Sequence, residues 1–188
     1  MRIGIFSECY EPVMNGVVVS IKTFMEEMEK LGYEFFIFTT ECPGYKETDN
    51  RVHRFPALTK TKPKGGSYPI ARPQNVNKVA ELVKSLNIDL IHCQHLMSTG
   101  SLGLKVAKKL GIPVVLTYHT LLTEYIHYTP IIKYFIKYWP FNWIGKKLMI
   151  RKSRIYGNRY NAIITPSPSI AKLLVKYGVK TPITPIPT

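Results

Sequence analysis

Two places in this sequence combine residue types and spacing that could do chemistry. The first is His119, which directly follows the apolar run VVLT at residues 114–117 and is flanked by Tyr118 and Thr120, both able to hydrogen-bond. An imidazole at the end of a buried strand suits proton transfer or a grip on a substrate hydroxyl, and equally a structural bond to a backbone carbonyl. The second is a polar loop, residues 7–15, which joins an apolar run (Ile3, Ile5, Phe6) to a helical pattern entered through Gly16. A loop feeding a helix N-terminus presents unpaired N–H groups and the positive end of the helix dipole to an anion. With no side chain at Gly16, a phosphate can approach the backbone closely, although Asn15-Gly16 also reads as a plain turn and helix start.

Other candidates are weaker. His92 and His95 flank the end of the fourth strand (89–93); alternation lets His95 reach the strand end and leaves His92 packed. Zinc held by His92, Cys93, His95 and His119 is disfavoured, because no standard ligand spacing is present. Glu8, Glu11 and Glu124 are the carboxylates near these loops; none forms an acid/base pair, and a solvated role is expected for each. The three cysteines (Cys9, Cys42, Cys93) are far apart and lack CxxC spacing, which argues for reduced thiols. Cys9 and Cys93 are expected to be small packed residues.

The elements that must position these groups alternate. A first strand around residues 3–6 precedes a helix over 17–31, with apolar positions Val17, Ile21, Phe24, Met28 and Leu31 and a Gly32 cap. Strands follow at 33–40 and, weakly, 51–55. A loop at 56–73 carries four prolines and the bases Lys60, Lys62, Lys64 and Arg72, a length that suggests a functional segment. A helix at 75–86, a strand at 89–93, a helix at 102–110 and a strand at 114–117 come next. A helix opened by Pro140 (residues 141–158), a strand at 162–165, a helix at 168–177 and a last strand at 183–186 complete the pattern. Strands alternating with helices of this length predict an α/β, Rossmann-like, doubly wound, mainly parallel sheet with helices on both faces. Its strand-end loops (7–16, 94–98, 118–124 and Ser167) then gather on one edge. No G-x-G-x-x-G occurs, so a dinucleotide cofactor is disfavoured.

At 188 residues the chain has room for one sizeable core, so a single domain spanning 1–188 is expected. No apolar run is long enough to span a bilayer and no signal segment is evident, which predicts a cytoplasmic protein. The net charge of +14 is lopsided. Residues 125–188 contain 11 basic and no acidic side chains, against 15 basic and 12 acidic in residues 1–124. Such a block points to an anionic partner. On a helical wheel Phe141, Ile144, Leu148 and Ile155 form an apolar stripe beside Lys147, Arg151 and Arg154, with Trp139 and Trp143 near it. That pattern fits a helix lying in a membrane interface, the alternative being a core helix with a solvated basic face. Docking is expected through Lys133, Lys137, Trp139, Trp143, Lys146, Lys147, Arg151, Lys152 and Arg154, aided by the basic loop at 60–72. No nucleic-acid motif is present, and nucleic acid is not expected as a partner.

Three stretches in order, SECYEPVMNGVVVSI (7–21), LIHCQHLMSTGSLGLKVAKKLGIPVVLTYHTLLTEYIHY (90–128) and NAIITPSPSIAKLL (161–174), resemble the N-terminal, acceptor-binding domain of retaining GT-B glycosyltransferases. Within that group the sequence is most similar to enzymes that glucosylate diacylglycerol or related membrane lipids. The resemblance implies hexose transfer with retained configuration from a nucleotide diphosphate sugar such as UDP-glucose, with no metal and no other cofactor. It sets Gly16, with Asn15, against the donor phosphate or sugar and His119 against the transferred sugar as the catalytic histidine. Tyr10, His95, Tyr118 and Glu124 become acceptor-site candidates. The implied partners are the donor, a lipid acceptor, the anionic inner face of the cell membrane and a second, C-terminal nucleotide-sugar-binding domain that these 188 residues lack. Asn15-Gly16 departs from the Gly-Gly of many relatives. The same fold acting on a soluble sugar or polysaccharide, or a non-catalytic basic module binding membrane or nucleic acid, are the alternatives. Without its second domain the chain is expected to be inactive alone.

Overall fold

A computed structural model describes residues 1–58, 69–96, 98–119 and 139–187, without the side chains of 139–144 and 146. The chain divides into two compact units, Met1–Thr117 and Tyr118–Thr188.

The first unit contains β1 (Arg2–Phe6), α1 (Gly16–Glu29), β2 (Glu34–Thr40), β3 (Val52–Phe55), α2 (Val76–Ser85), β4 (Leu90–Cys93), α3 (Thr99–Leu110) and β5 (Val114–Thr117). Its strands are all parallel, in the order β3-β2-β1-β4-β5. The apolar runs of β1, β2 and β4 are continuous rather than alternating, as expected for strands covered on both faces. Ile5, Phe6, Phe35, Phe38, Ile91 and Leu116 are fully buried, and Phe6 stacks on Phe38 with ring centroids 4.5 Å apart. From β1 the chain winds outward to β2 and β3, then returns to start β4 on the other side of β1. Right-handed crossovers put α1 on one face and α2 with α3 on the other. The winding reverses between β1 and β4, the point outside the strand ends where sheets of this kind bind ligands.

The expected helix over 17–31 is α1, with one correction. It buries Val18, Ile21 and Met25, and Val17, Phe24 and Met28 pack on the same core, while Leu31 is 71% exposed because the helix has already ended. The helix closes through Gly32 at φ 82: the N–H of Tyr33 donates to Met28 O at 3.3 Å and that of Gly32 to Glu29 O at 2.9 Å. This paired arrangement needs the left-handed conformation that glycine adopts without strain. The third helix begins at Thr99 rather than Leu102, because small residues (Thr99, Gly100, Ser101) without an apolar period form its first turn. There Gly100 lies so close to the preceding loop that a Cβ would overlap the carbonyl oxygen of His95.

The second unit contains α4 (Trp139–Gly157), β6 (Ala162–Thr165), α5 (Pro168–Lys176) and β7 (Ile183–Pro185), with β6 and β7 parallel. Helix α4 starts at Trp139, ahead of the expected Pro140 opening. Ser167 caps α5 by accepting from Ile170 N–H at 3.4 Å, with Pro168 in the first turn. Asn158, just past α4, accepts the N–H of Lys180 at 2.6 Å and so ties the helix end to the segment entering β7. The basic residues Lys60, Lys62 and Lys64 lie outside the described residues.

Replacing Gly100 with Ala is expected to destabilise the protein by about 2–3 kcal/mol, because backbone rather than a flexible side chain blocks the methyl. Chemical denaturation checks this, and an unchanged midpoint would show that the loop around His95 can move aside.

Candidate functional site

The loop from β1 to α1 is held from several directions. Ser7, fully buried, donates its hydroxyl to Cys9 O at 2.7 Å. Arg54, at the end of β3, donates to Glu11 O at 2.5 Å and to Thr40 O at 3.0 Å, and pairs with Glu47 at 2.6 Å. Glu11 itself pairs with Lys22 of α1 at 2.6 Å. Cys9 is buried, as expected.

Asn15 is the N-cap of α1. Its Oδ1 accepts the N–H of Val18 at 3.0 Å, and its Nδ2 donates to Cys9 Sγ at 3.3 Å. One side chain therefore fixes the helix start and the loop before it, and the cap itself stabilises by about 1 kcal/mol. The polar atoms of Asn15 are thus committed to structure. The first N–H groups of α1, at Gly16 and Val17, have no partner among the described residues. A Cβ at Gly16 would meet nothing within 4 Å. Neither space nor backbone conformation demands a glycine here, and the front of the helix is open.

Tyr10 is half-buried against the cluster of Ile3, Ile5, Ile21 and Phe35, and desolvation, reinforced by Glu11, raises its phenol above the usual value. His95, half-buried after β4, reaches the loop after β1: its Nδ1 accepts the backbone N–H of Glu8 at 3.3 Å, which leaves the ring proton on Nε2. His92 is buried and its Nε2 lies 2.7 Å from Thr117 Oγ1, the packed role expected for it. Thr99, at the start of α3, has a buried hydroxyl with no partner among the described residues. Among the described residues no group of three His, Cys, Asp or Glu side chains could hold a metal ion.

Glu8 departs from the solvated role expected of it. Its side chain is largely shielded, and desolvation pushes its carboxyl up to about 7. Sequence missed this because the segment that meets Glu8, at His95, lies 87 residues away in the chain. The only legible hint was an acid within two residues of a fully buried strand.

In the second unit His119, two residues beyond β5, is half-buried, and burial lowers its imidazole to about 4. It is therefore neutral at pH 7 and can both donate and accept a hydrogen bond. Its neighbour Tyr118 corrects an expectation. The ring is 3% exposed and the hydroxyl lies 3.0 Å from Ser153 Oγ on α4, so Tyr118 packs α4 rather than presenting a free hydroxyl to an acceptor. On α4, Ser153 and Gly157 face inward while Lys147, Arg151, Lys152 and Arg154 are exposed. Of the expected apolar stripe, Leu148 is 50% and Ile155 40% exposed, so its described part faces outward and not into a core. The backbone of Trp139, Trp143 and Lys146 belongs to α4. Thr120, Glu124, Lys133 and Lys137 lie outside the described residues. No helix among the described residues is long and apolar enough to cross a membrane.

Comparison with known proteins fits this geometry. The profile of glycosyltransferase family 4 matches residues 14–188. The chain is 32% identical to an alpha-monoglucosyldiacylglycerol synthase of Streptococcus pneumoniae, covering 100% of the chain and 40% of that protein. A synthase of the same name from Acholeplasma laidlawii is 34% identical over 94% of the chain and 43% of its own length. The chain thus spans less than half the length of these relatives. Among solved structures, sucrose-phosphate synthase from Thermosynechococcus elongatus superposes with a TM-score of 0.62 at 17% identity, covering 99% of this chain and 47% of that one, a likeness of fold.

The titration of Glu8 makes a stability prediction. Its folded value lies above the ordinary carboxylate value, so it favours the folded state at low pH, and that contribution is lost as pH rises from about 4.5 to about 7. Glu8→Gln is therefore expected to match the parent protein near pH 4 and to exceed it by up to about 3 kcal/mol at pH 8. Urea denaturation at the two pH values measures the difference; equal gaps would show that Glu8 is solvated.

Proposed function

The chain belongs to glycosyltransferase family 4, and from that premise we propose that it is the acceptor-binding, N-terminal half of a retaining glycosyltransferase that glucosylates a membrane lipid such as diacylglycerol. The proposed donor is a nucleotide diphosphate sugar, UDP-glucose, held mainly by a second Rossmann-like domain. The similarity to the two monoglucosyldiacylglycerol synthases supports the lipid acceptor, and the share of their length that the chain covers leaves room for a second domain.

The observation that carries this reading is the open N-terminus of α1. A glycine that the fold does not require stands in front of unpartnered N–H groups, at the strand edge where doubly wound sheets bind ligands. A donor phosphate there meets two backbone N–H groups and the positive end of the helix, with no Cβ in the way. In this reading Asn15 holds the helix start in position and leaves the phosphate contact to backbone. His119, neutral at working pH, hydrogen-bonds a hydroxyl of the transferred sugar. His95, with Tyr10 and Glu124 as further candidates, borders the acceptor. No step in this reading needs a metal.

A lipid acceptor keeps its acyl chains in the bilayer, so the domain must dock on the interface. Helix α4 supports this: Leu148 and Ile155 are exposed with Arg151 and Lys152 between them, on a segment free of acidic residues. Anionic lipid adds about 1 kcal/mol per basic side chain near the surface. We place the protein peripherally on the inner face of the cell membrane, with Lys133, Lys137, Trp139, Trp143, Lys146, Lys147 and Arg154 completing the docking surface.

Three outcomes test the reading. The full-length protein is expected to transfer glucose from UDP-glucose to diacylglycerol in vesicles; transfer only to soluble sugars would overturn the lipid assignment. Gly16→Ala is expected to leave thermal stability unchanged within about 0.5 kcal/mol while lowering kcat/KM for the donor at least about tenfold. A variant as active as the parent would remove Gly16 from the phosphate site. Co-sedimentation with vesicles is expected to rise with anionic lipid, fall with salt and weaken in the L148E/I155E double variant. Indifference to lipid charge would sink the docking surface.

A further inference from the structure

Six acids of the first unit pair with a cation: Glu11 with Lys22, Glu27 with Lys30, Glu29 and Asp49 with Arg51, Glu34 with Arg2 and Glu47 with Arg54. Glu8 has no such partner although it is largely shielded from water. Its carboxylate makes no hydrogen bond or ion pair among the described residues, and desolvation alone acts on its titration. A shielded carboxyl without a partner is costly, so the fold gains nothing by keeping one there.

Its backbone is nevertheless fixed with care. The N–H of Glu8 donates to His95 Nδ1 and so ties the loop after β1 to the loop after β4. On one side Ser7 bonds to Cys9 O, and on the other Cys9 is held by Asn15. His95 is in turn backed by Gly100, whose missing Cβ lets α3 close on the His95 carbonyl. An unanswered acid on a rigid frame, at the point where the winding of the sheet reverses, is what a site for a ligand hydroxyl looks like before the ligand arrives.

We propose that Glu8 is an acceptor-binding residue: its ionised carboxylate accepts a hydrogen bond from the attacking hydroxyl of the acceptor, with His95 beside it. The inference rests on the glycosyltransferase reading and adds to it the group that orients the nucleophile. The acceptor O–H stays intact in this complex, so Glu8 acts by orientation and exchanges no proton with it. Among the described residues, His95 meets Glu8 at its backbone N–H, and Cys9 lies next to it on the same loop. Burial keeps the Cys9 thiol neutral near pH 7, so it adds no charge.

The test uses the full-length protein with diacylglycerol vesicles, following kcat/KM for the acceptor from pH 5.5 to about 8.5. The parent is expected to rise through a limb near pH 7 as Glu8 ionises. Glu8→Gln, whose amide oxygen can still accept, is expected to lose that limb and to raise the acceptor KM about tenfold, with the donor KM unchanged. Thermal melts of both proteins identify a variant that has merely misfolded, and Glu8→Asp, which keeps the charge, is expected to retain the limb. A limb that survives in Glu8→Gln assigns it to another group, His95 first, and overturns the inference while the function reading stands. Absence of sugar transfer by the parent overturns both.

Discussion

The Asn15 side chain is the hinge on which the candidate site depends. Through Oδ1 it caps α1, and through Nδ2 it holds Cys9, so the helix start and the loop before it cannot move independently. The loop is held again by Arg54 from the far edge of the sheet and by His95 from the neighbouring strand end. Among the described residues, what remains unsatisfied after this bracing is the first N–H groups of α1 and the Glu8 carboxylate, which we propose serve an anion and a hydroxyl. A donor phosphate and an acceptor alcohol are the two groups that a glycosyl transfer must hold.

Rigidity of this kind has a stability cost that the fold offsets elsewhere. Among the described residues, Glu8 is shielded without a compensating partner and Thr99 buries a hydroxyl with none. Each is the sort of feature that selection for stability alone would remove. The aromatic core of β1 and β2, with Phe6, Phe35 and Phe38 fully buried, supplies the surplus that lets the loops at the strand ends stay polar.

Much of this was legible in the sequence, because it depended on local patterns. The apolar runs located every strand, and β5 and β6 fell on the expected residues. The Asn15-Gly16 junction announced the helix start through its cap chemistry. Leu31 was misread because the 3.6-residue period continues past the residue where the helix stops, and Gly32, not apolar spacing, sets that end. The first turn of α3 was missed because Thr99-Gly100-Ser101 has no apolar signal; its place is set by a close approach to His95. Tyr118 and Glu8 were misjudged for one reason: burial of a polar side chain depends on elements distant in sequence. The charge asymmetry was plain from composition, and the structure adds that Leu148 and Ile155 accompany the exposed bases of α4.

In the proposed reading the open front of α1 receives the donor phosphate while the histidine after β5 meets the sugar. Its most direct test is a crystal structure of the full-length protein with an intact, non-transferable nucleotide diphosphate sugar. The account predicts a phosphate oxygen within about 3 Å of the Gly16 N–H and a sugar hydroxyl at similar distance from the His119 ring. A donor bound wholly by the second domain, with Gly16 facing only solvent, would contradict it.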